Sequence, residues 1–202
     1  QDLPAILQDR QPEGILWWSF YETDATFGMF LDQALIYTSN RTVNPQSLLS
    51  IYEKIQTLVH IFQQHRFLLV LDGFERLLRA YATPGSSGEL SSFFRACIDP
   101  HIANFLRLLV ANPLQSKIIL TSRLAPRELD GMAHCLCIEL STLATEDALA
   151  FLQTQGVKGS RREMQATCVL YGNHPLALRL LTGLIMHDPV SPGDITVAVD
   201  YS

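Results

Sequence analysis

The chain has 202 residues, 48% of them hydrophobic and 17% charged, and a net charge of −5. That balance builds a core and is not the composition of a disordered chain, and the length suits one domain plus a smaller one. It gives no electrostatic pull toward nucleic-acid phosphates or an anionic membrane, and no apolar run approaches the ~20 residues that span a bilayer.

The pattern alternates strand and helix. "GILWWSF" (14–20) is a short apolar run after Pro12, read as a strand. Trp17 and Trp18 then point to opposite faces. They are read as core packing under helices rather than as a stacking platform for bases. Over residues 24–40, Phe27, Phe30, Leu31, Ala34 and Leu35 fall at helical spacing. Pro45 precedes a second helix, with Leu48, Ile51, Tyr52, Ile55, Leu58, Val59 and Phe62 in one stripe. His60 and His65 are not at the i, i+4 spacing of paired metal ligands and read as solvated. "RFLLVLD" (66–72) is a continuous apolar run, the signature of a strand covered on both faces. A helix is expected to start within "FERLLRAY" (74–81). "TPGSSG" (83–88) reads as a loop. A long helical region follows from Leu90 to Val110, with a break at Asp99-Pro100. "SKIILTSR" (116–123) is a third strand and "HCLCIEL" (134–140) a fourth, with Cys135 and Cys137 on one face. Together with Cys97 and Cys168 these read as reduced core thiols of a cytoplasmic protein, because further ligands at metal spacing are absent. From Thr145 to Met186 the pattern is helical only. Arg161-Arg162 are too few for a nucleic-acid patch. "DPVSPGDITVAVDYS" (188–202) reads as a linker or frayed end.

Strands separated by helices argue for an α/β fold: a parallel sheet with helices on both faces, followed by a small all-helical subdomain. Ligands of such sheets bind beyond the carboxyl ends of the strands. Asp72 stands at such an end. It could hold a hard cation such as Mg²⁺ through oxygen, or cap the helix that follows. Glu75, three residues on, could turn back and orient or deprotonate a water. Arg123 ends the next strand. It either faces the same crevice and meets a phosphate, or sits in a surface salt bridge. "YGNHPLALRLL" (171–181) joins two helices, with Gly172 suited to the C′ position and Pro175 to the first turn. Turn chemistry alone accounts for it, and His174 reads as an N-cap or turn residue. Ser122 and His134 make no triad, since no Gly-x-Ser-x-Gly elbow surrounds the serine.

Taken in order, "GILWWSFYE", "FLLVLDGFERLLRAY", "KIILTSR", "CIELSTLATEDALAFL" and "YGNHPLALRLL" resemble the nucleotide-binding region of STAND signalling ATPases. These are the NB-ARC and NACHT relatives of bacterial regulators and immune receptors. The resemblance runs from about residue 14 to residue 186. It implies a cytoplasmic ATP/ADP switch in signal transduction, with self-association and with effector and sensor domains outside this chain. "LLVLDGFE" resembles the Walker B strand, so Asp72 would help place Mg²⁺, with Glu75 as its acidic catalytic partner. "LTSR" resembles the sensor 1 strand, with Arg123 reading the γ-phosphate. "GNHPLAL" resembles the GxP-type motif, with Pro175 packing near adenine from the helical subdomain. The implied domains are a partial P-loop core over 1–142, a helical subdomain over 143–187 and a linker or tail over 188–202.

One departure is severe. A Walker A loop, G-x-x-x-x-G-K-[ST], wraps phosphates with backbone N–H groups and neutralises them with its lysine. No such run occurs, and the first lysine is Lys54, inside a predicted helix. "QDLPAILQDR" (1–10) resembles the end of the helix that follows that loop. The expectation is therefore a fragment lacking the loop, an ATPase in the full-length protein and a weak nucleotide binder by itself. In the family's sheet the Walker A strand lies between "KIILTSR" and "CLCIEL". Those two would flank a gap, close on each other, or be joined through another chain. The alternatives are a catalytically silent scaffold module that keeps the fold, and an AAA-like ATPase.

Overall fold

The structure is a computed structural model and describes residues 11–82 and 92–201. The segments "QDLPAILQDR" and "TPGSSG" lie outside the described residues. The chain divides into two compact units, residues 1–137 and 138–202, each with its own hydrophobic core.

The first unit is built on three parallel strands, β1 (Gly14–Ser19), β2 (Phe67–Asp72) and β3 (Lys117–Leu120), in the order β1-β2-β3. Parallel neighbours need crossovers. Helices α1 (Phe27–Thr38) and α2 (Ile51–Gln64) connect β1 to β2. The short α3 (Arg79–Ala82) and α4 (Pro100–Ala111) connect β2 to β3. Both crossovers step across the sheet in the same direction, so right-handed connections put both on one face. That face carries Leu16 and Trp18 of β1, Phe67, Leu69 and Leu71 of β2, and Ile118 and Leu120 of β3. They pack with Phe30, Phe62 and Phe105 of the three long helices.

Among the described residues α1, α2 and α4 share one face of the sheet. On the other face Leu68 and Val70 are buried, but Trp17 is 65% exposed. Trp18 alone takes the core role expected of both tryptophans, edge-on to Phe30 with ring centres 6.0 Å apart.

Helix starts follow cap chemistry. Ser50 and Glu53 form a reciprocal capping box that starts α2 at Ile51, so Leu48 falls before the helix, after a 3₁₀ turn opened by Pro45. Asp99 caps α4 and Pro100 takes its first position. Proline fits only the first turn of a helix, so the long helix expected from Leu90 reduces, among the described residues, to Pro100–Ala111. After β2 the chain forms a 3₁₀ helix, Phe74–Leu77, before α3.

The expected fourth strand is also corrected. Residues 134–140 straddle the division between the units and join no ladder among the described residues. A strand exists only through a partner that satisfies its backbone. Without one, Leu136 and Leu140 are 83% and 90% exposed. Among the described residues β3 is an edge of the sheet. All four cysteines are free thiols, but only Cys97 and Cys168 are core. Cys135 is half-exposed and Cys137 exposed.

The second unit holds α5 (Thr145–Thr154), α6 (Arg161–Leu170) and α7 (Pro175–Met186) around Leu149, Leu152, Cys168, Leu178 and Ile185. Ser160 and Glu163 box the start of α6, and Arg161 pairs with Glu146. Gly172 ends α6 at φ +62°, and the His174 ring accepts from the Ala177 N–H to cap α7. The tail, expected as a linker or frayed end, packs onto this unit. Ile195 and Ala198 are buried in its core, and the Ile195 N–H bonds the Lys158 carbonyl at 2.8 Å. No helix among the described residues is long and apolar enough to cross a membrane.

Candidate functional site

The three strands end side by side. Ser19 pairs with Asp72, and beyond the last pair, Leu71 and Leu120, comes Thr121. Backbone bonds continue past the ladders: Phe20 N–H to the Asp72 carbonyl and Phe74 N–H to the Thr121 carbonyl, each 2.9 Å. Gly73 then turns the chain sharply at φ +71°, a left-handed conformation suited to glycine. The Tyr21 ring fills the space beside it; a Cβ on Gly73 would come within 2.5 Å of that ring. The turn leads into the 3₁₀ helix and carries Glu75 back over the strand ends.

Asp72 is half-buried, and both its oxygens are bonded. Thr121 donates its hydroxyl to Oδ1 at 2.7 Å and Ser19 donates to Oδ2 at 3.2 Å. The Thr121 hydroxyl oxygen in turn accepts the Gly73 N–H at 3.1 Å. The N-cap alternative for Asp72 is set aside by this geometry. Gly73 holds the cap position, and no side chain bonds there.

Glu75 is 2% exposed. It accepts a short hydrogen bond from the Tyr21 hydroxyl on Oε1 and the Arg123 backbone N–H on Oε2 at 3.3 Å. The Arg123 Nε lies 3.7 Å from Oε1, on a side chain 74% exposed. Arg76 lies over the Tyr21 ring at 5.9 Å. Each carboxylate is thus held from the β1 side by a hydroxyl and from the β3 side by a second donor. Burying a carboxylate is costly unless it is paired and bonded, and Glu75 is both.

The loop that carries Arg123 is anchored. Arg95 bonds the Ala125 carbonyl at 3.0 Å and both Asp130 oxygens, and this pairing holds the Asp130 carboxyl below its usual range. The buried Glu128 accepts from the Cys97 N–H and thiol. Burial, and then the Glu128 charge, push that thiol's pKa up.

The structure brings Asp72, Glu75 and Arg123 together at the carboxyl end of the sheet. Arg123 meets Glu75, while Asp72 meets Thr121 and Ser19. Pro175 belongs to the second unit, exposed at the first position of α7. Sequence reasoning passed over Ser19, Tyr21 and the pairing role of Thr121. The carboxyl-end rule, applied to β1 as it was to β2, points to Ser19 and Tyr21.

The donors around Asp72 are all oxygen: one carboxylate and two hydroxyls, with Thr121 exposed to solvent. That set fits Mg²⁺, which takes one or two carboxylates and keeps several waters. Among the described residues no group of three or more His, Cys, Asp or Glu side chains converges as a metal cage. No family model matches the chain, and no curated protein matches it.

Proposed function

We propose that this chain is part of an ATP/ADP-dependent signalling switch of the STAND class, binding Mg-nucleotide at the carboxyl ends of β1–β3. The observation that carries the reading is the pair of carboxylates three residues apart at the end of the central strand. Each is held in place from both neighbouring strands, beside an exposed guanidinium. A polar cluster built to this degree at the ligand-binding end of a parallel sheet is more than a surface turn requires.

In this reading Asp72 carries the cation, with Ser19 and Thr121 fixing the direction of its oxygens. Mg²⁺, when bound, neutralises phosphate charge. Arg123 supplies the contact that distinguishes a triphosphate from a diphosphate. Such a differential contact is what a two-state switch requires of its ligand. Glu75 would be the acidic group that orients an attacking water.

Phosphate wrapping needs a glycine loop with lysine, which residues 1–202 do not contain. The same fact favours the second reading, a scaffold module that keeps the fold without turnover. Calorimetric titration with Mg-ATP and ADP separates them. In a protein that also carries the loop, micromolar binding is expected, weakened about tenfold or more by Asp72→Ala. Residues 1–202 alone are expected to bind far more weakly. Unchanged nucleotide retention and signalling in Asp72→Ala would favour the scaffold.

A further inference from the structure

We infer that Cys135 and Cys137 together form a two-thiolate site for a soft monovalent cation, Cu(I). The inference is independent of the nucleotide reading.

The four cysteines are of two kinds. Cys97 and Cys168 are buried, at 5% and 0% exposure. The Cys97 thiol is engaged by Glu128, and Cys168 lies in the core of the second unit. Neither is open to a metal ion. Cys135 is half-exposed and Cys137 exposed, and both are free thiols. Free cysteine is among the most buried residue types, so two in contact with solvent, one residue apart, are not there for packing.

Local geometry turns the pair to one side. The Cys135 N–H bonds the Met132 carbonyl at 3.2 Å and closes the turn that precedes it. From Cys135 to Cys137 the chain is extended, and it joins no ladder among the described residues. Alternate side chains of an extended segment share a side. The two thiols therefore point one way, and Leu136 between them, 83% exposed, points the other. Two residues span at most about 7 Å between Cα atoms. Rotation about χ1 brings the sulfurs to either side of one ion, and no ladder bond has to break.

Coordination number chooses the ion. Among the described residues no group of three or more His, Cys, Asp or Glu side chains converges on a metal position, so His134, next in sequence, adds no third ligand. Zinc takes four ligands, or three and a water, and Mg²⁺ and Ca²⁺ take oxygen. Thiolates select soft ions, and Cu(I) is one that two thiolates satisfy, in a line. Binding exchanges protons for metal. Each thiol releases its proton to solvent, two sulfur–copper bonds form, and the ion stays Cu(I).

The test is competition for Cu(I) between the reduced 202-residue protein and the coloured chelator bicinchoninate, under nitrogen. One Cu(I) per chain is expected to leave the chelator. Cys135→Ser and Cys137→Ser are each expected to weaken retention about a hundredfold or more, the order gained by linking two ligands. The double variant keeps only the buried cysteines and is expected to take none. Neither residue belongs to either core, so the substitutions spare the fold. A single variant that retains Cu(I) as the wild type does overturns the inference, and so does copper held by the double variant. X-ray absorption on the loaded wild type decides without any variant. Two sulfur neighbours support the site; a nitrogen neighbour or a third sulfur overturns it. Zn²⁺ in about tenfold excess is expected to leave the copper in place, and displacement by zinc would overturn the two-coordinate geometry.

Discussion

At the amino end of the sheet, as at the carboxyl end, a carboxylate bridges two strands. Glu13 accepts the Arg66 N–H at 3.0 Å and meets the His65 ring at 3.0 Å. Next to it the Ser116 hydroxyl donates to the His65 carbonyl at 2.7 Å and accepts the Phe67 N–H at 3.0 Å. These bonds close off backbone groups that the strand ladders leave open, and Glu13 stays exposed while it does so. The carboxyl end works the other way. Its carboxylates accept mainly from side-chain hydroxyls, and one of them is almost wholly buried. Closure explains the first arrangement completely. It does not explain why a second carboxylate is carried back under Tyr21 three residues after the first.

The contrast can be broken most sharply at the two glycines that border these ends. Gly73→Ala places a side chain in the left-handed region, at about 1–2 kcal/mol, and pushes a Cβ into the Tyr21 ring. The ring is packed and bonded to Glu75, so a total loss near ~3 kcal/mol is expected. At the other end, Gly14→Ala meets the Tyr37 hydroxyl at 2.7 Å, the far end of a flexible side chain. It gives up only the Ile15 N–H bond to that hydroxyl, so its cost stays near ~1 kcal/mol. Urea unfolding of both variants measures the difference. Equal losses would mean that the carboxyl end is no more tightly constructed than the amino end.

A smaller effect sharpens what closure means. Ser116→Ala leaves the buried Phe67 N–H and the His65 carbonyl short of a partner, for a loss of about 1–2 kcal/mol. Ser19→Ala removes one hydroxyl from Asp72, which is half-buried and keeps Thr121, so its loss is below ~1 kcal/mol. The amino end thus depends on its serine for stability, and the carboxyl end does not. If Ser19→Ala proved the more damaging in thermal or urea unfolding, Asp72 would be a structural group rather than one kept for a ligand.

Much of this was legible from residue pattern, and the failures share one cause. β1, β2 and β3 are short apolar runs whose periodicity and flanks locate them. Asp72, Glu75 and Arg123 follow from the rule about carboxyl ends. The fourth strand at 134–140 has the same apolar signature as β3 and is not a strand. Alternation records what a segment could bury, but pairing depends on a neighbour that only the three-dimensional arrangement supplies. Trp17 failed in the same way. Its strand looks covered on both sides, yet which face the crossovers occupy is set by handedness and strand order. The carboxyl-end rule places Tyr21 near the strand end, but not its packing. Nothing in "SFYE" says that the ring will lie against a glycine fifty-two residues on. The tail at 188–202, rich in proline and glycine at its start, gives no sign that Ile195 will reach a core.

The smallest effect concerns acid, and it isolates the amino end. The Arg66 backbone N–H, and after it the His65 ring, hold the Glu13 carboxyl below its usual range. A carboxylate whose folded pKa is depressed stabilises the fold above its unfolded value, about 4.3, and loses that contribution as pH falls through the folded value. Asp130, Glu163 and Asp194 are depressed as well, so the whole protein is expected to weaken in acid whatever Glu13 does. The share belonging to Glu13 is read as a difference: urea midpoints of the wild type and Glu13→Gln, followed from pH 6 to pH 3. The wild type is ahead at pH 6, and the gap closes as both approach pH 3. A gap that widened in acid would mean that folding makes Glu13 easier to protonate. The bridge to Arg66 would then not be what ties β1 to β2 at this end.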